Sequence, residues 1–391
     1  MMRVALLCLS PLRHDSRVLR HATLLTGAGY EVRIFAQRPL PDESPCAVMP
    51  VPGPGNDWRV RLGMVFRQAP ATIWRPTADL MYWLSYTRLV TLRELNRFAP
   101  EIIIANDWRS LPIAFAAKQT GTRVVYDSHE FASEEFADSW RWNLLARQHV
   151  LRIEDRYIRG ADAVVTVSEG IANALARRYT LPRPMVIANT PGWQATAFRP
   201  TESRITVLYH GAIVPRRGLE ALIESVRLWP AHFRLVIRGP AQGGFERHLQ
   251  QLAEPFGERV TIEPPVPPAR LVSAAAQADI GIFLLSNSTT HARFAMPNKI
   301  FEYMQAGLMV ISSDLPEIRS VIETAGCGAL LAGDTPEAIA GCLAGLDPAR
   351  IDTCKQAALA RARDVNFDIE GTKLLALIDR LAASEPPDSR A

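Results

Sequence analysis

Cysteine is scarce in this chain, with five among 391 residues. Cys8, Cys46, Cys327, Cys342 and Cys354 form an odd, scattered set without a CxxC pair or metal-ligand spacing. That excludes a disulfide framework and makes a reduced cytoplasm the expected setting. Long hydrophobic runs are missing too, and none reaches the roughly 20 residues of a membrane-spanning helix. The opening MMRVALLCLS is apolar but short and runs into polar residues 13–15, so it reads as a first strand and not a signal peptide. Charge of one sign hardly accumulates: the net excess is +4. With no long basic run, nucleic acid is not an expected partner. No glycine occurs between Arg3 and Thr26, where a GxGxxG fingerprint would sit, which counts against an NAD or FAD enzyme.

What is present is an ordinary globular composition, 48% hydrophobic and 21% charged, at a length natural for two domains. Short apolar runs alternate with helical periodicity from the first residues, which predicts an α/β fold with parallel sheets. Strands are expected at 3–10, 31–36, 101–107, 123–127, 204–211 and 233–239. A proline- and glycine-bearing segment without periodicity, 191–200, reads as a linker. Ligands of open α/β sheets sit at the carboxyl ends of strands. Asp15 and Arg17, Asp107, and Asp127, His129 and Glu130 all follow such ends. Asp15 also suits the N-cap of a helix with Val18, Ala22 and Leu25 as its buried stripe.

The most informative stretch is HARFAMPNKIFEYMQAGLMVISSDLPEI, residues 291–318. Pro297 suits a first helical position, Ile300, Phe301 and Met304 give an apolar face, and Gly307 ends the helix. A helix N-terminus offers unpaired N–H groups to a phosphate. Asn298 and Lys299 lie in the first turn, and Glu302 follows Lys299 at i+3 on the same face. A cation and a carboxylate beside such a cradle suit a nucleotide, with Lys299 for the diphosphate and Glu302 for the ribose hydroxyls. Residues 58–88 hold Trp58, Arg59, Arg61, Phe66, Arg67, Trp74, Arg75, Tyr82, Trp83, Tyr86 and Arg88. This composition fits a peripheral membrane surface or helices packed on a sheet with arginines outward.

PNKIFEYMQAG followed by an apolar strand and SSDLPE resembles the donor-binding segment of GT-B glycosyltransferases of the GT4, or group 1, type. YDSHE, ADAVVTVSEGIANALARRY and the loop HGAIVPRRG resemble further segments of that family in the same order. The family's paired glutamates have seven residues between them; Glu302 matches the second, and Phe294 stands at the first. Its phosphate loop, G-R-x4-K-G, appears with Gly211 and Gly218, Ala212 at the arginine place, Arg217 at the lysine place and Arg216 beside it.

The resemblance implies a GT-B fold of two Rossmann-like domains facing each other across a cleft. Residues 1–195 would bind the acceptor and 196–368 the nucleotide sugar, while 369–391 would cross back as a helix and tail. It implies a retaining sugar transfer in bacterial polysaccharide, glycolipid or glycoconjugate synthesis. Gly211, Arg216, Arg217, Asn298, Lys299 and Glu302 would hold the donor, and His129 would meet the reacting sugar. Asp15, Arg17, Asp107, Asp127 and Glu130 would line the acceptor side. No Asp-x-Asp triplet occurs, in keeping with a transfer that requires no metal or cofactor. The acceptor would be a sugar, a lipid-linked molecule or a small molecule, reached in the cytoplasm or at the inner face of the membrane. A nucleotide-sugar 2-epimerase of similar architecture and an inactive nucleotide-sugar-binding protein are the alternatives. Turnover of donor to an epimer without acceptor marks the first, and donor affinity without turnover marks the second.

Overall fold

The structure, a computed structural model, describes residues 1–53, 80, 82–84, 86–286 and 289–384. Two parallel sheets organise them. The first comprises β1 (Arg3–Pro11), β2 (Glu31–Gln37), β3 (Ala47–Pro50), β4 (Ile102–Asn106), β5 (Arg123–Ser128), β6 (Ala163–Thr166) and β7 (Met185–Val186). Its spatial order is β3-β2-β1-β4-β5-β6-β7. The second comprises β8 (Ile205–His210), β9 (Phe233–Arg238), β10 (Val260–Glu263), β11 (Ile280–Phe283), β12 (Met309–Ser313) and β13 (Gly328–Leu331). Its order is β10-β9-β8-β11-β12-β13. Val4, Leu6, Ile102 and Ile104 in the first sheet, and Val207, Ile280 and Ile311 in the second, are at most 1% exposed. Strands covered on both faces are apolar throughout, which is why these runs do not alternate.

Each sheet changes direction once. β1 pairs with β2 on one side and β4 on the other, and β8 pairs with β9 and β11 in the same way. Chain order runs outward from each of these two junctions, and such a switch point opens a crevice beyond the carboxyl ends of the strands.

The chain divides into two compact units, Met1–Ala188 with Glu370–Ala391, and Asn189–Ile369. The helix Phe367–Ala383 carries Leu374, Leu377 and Ile378 into the core of the first unit, against Val4, Leu6, Val18 and Ile34. Its i, i+3, i+4 spacing made the stripe visible in sequence. Asp15 caps the helix Ser16–Gly27, its Oδ1 accepting from Val18 N at 3.1 Å. Trp58, Arg59, Arg61, Phe66, Arg67, Trp74 and Arg75 lie outside the described residues. Of their neighbours, Tyr82 is fully buried, donates to Arg109 O at 2.5 Å and lies under the Arg88 guanidinium, which is packing and not a solvent face. Among the described residues no helix is long and apolar enough to cross a membrane.

One buried acid in the first unit has a pH signature. Glu154, in the helix Arg147–Tyr157, is fully buried and accepts from Tyr126 Oη at 2.7 Å and Tyr179 Oη at 2.9 Å. Burial pushes its pKa up to about 7, against the two tyrosine bonds, which favour the charged form. The fold therefore favours the neutral carboxyl. Its contribution is complete below the ordinary carboxyl pKa and is lost as pH rises through about 7. Stability to denaturant is expected to fall between about pH 5 and about pH 8, and Glu154→Gln, which cannot ionise, should flatten that slope. An unchanged slope in the variant would assign the effect elsewhere.

Candidate functional site

In the second unit the site grows from the junction of β8 and β11. β8 ends at His210, and Gly211 follows with φ +145°, a value that suits glycine. A Cβ at Gly211 would collide with Lys299 Cε, so the bare backbone lets the lysine lie across the loop. Lys299 belongs to the helix Asn298–Gln305. Pro297 is not its first residue, as the sequence suggests, but its N-cap: ψ of 138° keeps it extended and passes the first place to Asn298. The cap supplies no side-chain acceptor, which leaves the first turn to another partner. Lys299 is half-buried. Burial lowers its pKa, Glu302 opposes that shift, and Arg217 adds to it, so the three charges feel one another.

Arg217 is half-buried and Arg216 exposed, the latter with φ +68°. The helix after them, Leu219–Ser225, has seven residues. Glu302 Oε2 lies 2.9 Å from His210 Nε2. The imidazole, 2% exposed, is stacked on Tyr303 with ring centroids 4.6 Å apart. Sequence reading did not single out His210. The signal was there, in a histidine closing an apolar strand immediately before a loop glycine.

In the first unit His129 lies just beyond β5, the strand next to β4 of the switch point. Its Nδ1 is buried with no hydrogen-bond partner. Burial disfavours its charged form, but the carboxylates of Asp127, Asp15, Asp107 and Glu130 outweigh it and raise the pKa above the ordinary value. Four of the residues named from sequence are thus electrostatic neighbours of the fifth. Asp107 has φ 66° and ψ 155°, a backbone region that non-glycine residues seldom adopt. Its carboxylate accepts from Trp108 N at 2.6 Å and pairs with Arg109. Glu135, unnoticed in the sequence, joins this group: burial together with Glu130 and Asp107 pushes its pKa up to about 7. Nothing local in FASEEF marks it, because the shift arises from residues on other elements.

Arg17 and Asp127 do not line the acceptor side as expected. Asp127 is fully buried and Arg17 2% exposed, and they form a two-pronged ion pair of 2.8 and 2.9 Å. Arg17 Nη1 also donates to Ile187 O at 3.0 Å. Both charges are met internally, and what reaches His129 is the electrostatic effect of the Asp127 carboxylate.

Residues 15–192 match the family described as glycosyl transferase 4-like domain, and residues 204–346 match glycosyl transferases group 1. The D-inositol 3-phosphate glycosyltransferase of Thermomonospora curvata is 24% identical over 310 residues, 70% of each chain. Sucrose-phosphate synthase from Thermosynechococcus elongatus superposes with a TM-score of 0.74 at 17% identity, covering 98% of this chain and 100% of that one. Anabaena HepE, in complex with UDP, superposes at 0.71 with 14% identity, covering 97% and 100%. At such identities the structural likeness speaks to the fold.

Proposed function

The chain belongs to the group 1, GT4-type glycosyltransferases and has their GT-B fold, and on that premise we propose that it moves a sugar from a nucleotide-sugar donor to an acceptor hydroxyl with retention. The second unit holds the donor. Arg216, Arg217, Lys299 and the first turn at Asn298 take the diphosphate, Gly211 gives it room, and Glu302 accepts from the ribose hydroxyls. The reaction needs a stabilised diphosphate leaving group and support for an oxocarbenium-like transition state. Fixed guanidinium and ammonium groups supply the first, and no metal is assigned to it. His129 of the first unit acts on the reacting sugar.

The observation that carries this reading is the packing of Lys299 across Gly211, with Arg217 and Glu302 as its electrostatic neighbours, at the switch point of the second sheet. A panel of nucleoside diphosphates and nucleotide sugars, read by melting shift, tests it, because a tight binder stabilises the fold by mass action. UDP is the first probe, given its presence in the structure of HepE. Lys299→Ala and Arg217→Ala are each expected to weaken UDP binding by about 1–3 kcal/mol. Equal affinity in both variants would remove the diphosphate from this loop.

Glu302→Gln keeps the size of the side chain but loses its charge and one acceptor. It is expected to weaken UDP by on the order of tenfold to a hundredfold by calorimetry, with an unchanged circular dichroism spectrum. Parent-like affinity in this variant would overturn the ribose assignment.

A further inference from the structure

Glu302 is a carboxylate at 15% exposure on a short helix, one turn from a lysine. To accept from two vicinal hydroxyls it must be held in one place, and the molecule contains a device that does so. It starts at Gly281 in β11. A Cβ there would collide with the Tyr303 ring, so glycine allows the ring to lie flat over the strand. Tyr303 Oη then donates to Ile282 O at 3.2 Å and accepts from His210 N at 3.0 Å, bridging the ends of β11 and β8. Those strands are neighbours in the sheet, paired at Gly281 and Leu208. The His210 imidazole lies on the opposite end of the same stack, inclined 28° to the Tyr303 ring. Neither of its nitrogens has an aligned hydrogen bond, yet Nε2 is 2.9 Å from Glu302 Oε2. The ring nitrogen and the carboxylate oxygen are thus close neighbours across two elements of the second unit.

We propose that His210 is a positioning residue for donor binding: the Gly281–Tyr303–His210 bracket fixes the Glu302 carboxylate where the ribose hydroxyls must meet it. The proposal rests on the donor-site reading above. It adds a residue from a different element, the end of β8, whose ring nitrogen lies 2.9 Å from the Glu302 carboxylate. Restraining that freedom before the ligand arrives lowers the ordering cost of binding.

The test is a double-mutant cycle on UDP affinity, measured by calorimetry on the full chain. His210→Phe keeps the ring and its stacking but removes both nitrogens, and is expected to weaken UDP about tenfold. Glu302→Gln weakens it as stated above. The double variant is expected to bind no more weakly than the poorer single, because both changes break one unit. His210→Gln, which keeps an N–H facing the carboxylate, should recover affinity to within about threefold of the parent. A merely structural histidine would give losses that multiply and no recovery by glutamine. Parent-like binding by His210→Phe, or multiplying losses, would overturn the proposal while leaving the donor site standing. Parent-like binding by Glu302→Gln, or no binding of UDP or any other nucleoside diphosphate by the parent, would overturn the donor-site reading and the proposal with it. Should His210→Phe fail to fold, His210→Leu completes the same cycle.

Discussion

His129→Ala is expected to lower kcat by about 10²- to 10⁴-fold, the range for a side chain that assists bond making and breaking directly. UDP affinity should stay within about threefold of the parent, because the donor's diphosphate and ribose are assigned to the other unit. The physical basis is the surroundings of His129. Burial disfavours the protonated imidazole, but Asp127, Asp15, Asp107 and Glu130 outweigh it and raise the pKa. The ring therefore keeps its donor form to a higher pH than an exposed histidine. Turnover that depends on that form is expected to decline as pH rises through the raised pKa, and Asp107→Asn, by removing one of the carboxylates, should move the decline to lower pH. Steady-state kinetics across pH, with calorimetry at one pH, separates the two readouts. Loss of affinity equal to the loss of turnover would make His129 a binding residue, and unchanged turnover would remove it from the site.

Arg17→Leu is expected to destabilise the first unit by about 3–5 kcal/mol, the usual consequence of leaving a buried charge without its partner. Asp127 has 0% exposure, and the variant leaves its carboxylate without the guanidinium that now meets both oxygens. For a unit of this size the melting temperature should fall by roughly 6–20 °C. The sign with pH follows from Asp127. Burial would raise its pKa, and Arg17 with His21 outweighs that and lowers it. The parent's ion-pair stability is thus present above the ordinary aspartate pKa and lost as pH falls through the lowered value. The variant has no such pair, so the gap between the two proteins should narrow on acidification. In the parent, burial and Arg17 lower the His21 pKa to about 3. A shift of a few degrees that is independent of pH would mean that water reaches Asp127 and that the pair is not sealed.

The two predictions concern neighbouring residues with opposite fates, and that contrast shows where sequence reasoning runs out. His129 and Asp127 are two positions apart at one strand end. Both were placed there correctly, because an apolar run of five or six residues bounded by polar ones identifies a buried strand and its exit. Which of them faces ligand was not legible, since charged residues at strand ends look alike until their partners are known. Lys299 and Glu302 were easier: a shared helix face follows from a spacing of three. The one-place error at Pro297 is a boundary matter, as its φ suits either side of a helix start.

By itself the sequence determined the class of fold, the strand ends, and hence the side chains gathered at the carboxyl edge of each sheet. These follow from local periodicity and from glycine and proline, whose effects act within a few residues. Only the tertiary structure decided which of those charges are spent on each other and which remain for a ligand. The partners are far apart in the chain, Arg17 and Asp127 by 110 residues and His210 and the hydroxyl of Tyr303 by 93. Whether a charge is buried and neutralised or left at a surface depends on a partner brought within a few ångströms by the sheet order, and no window of sequence contains that distance.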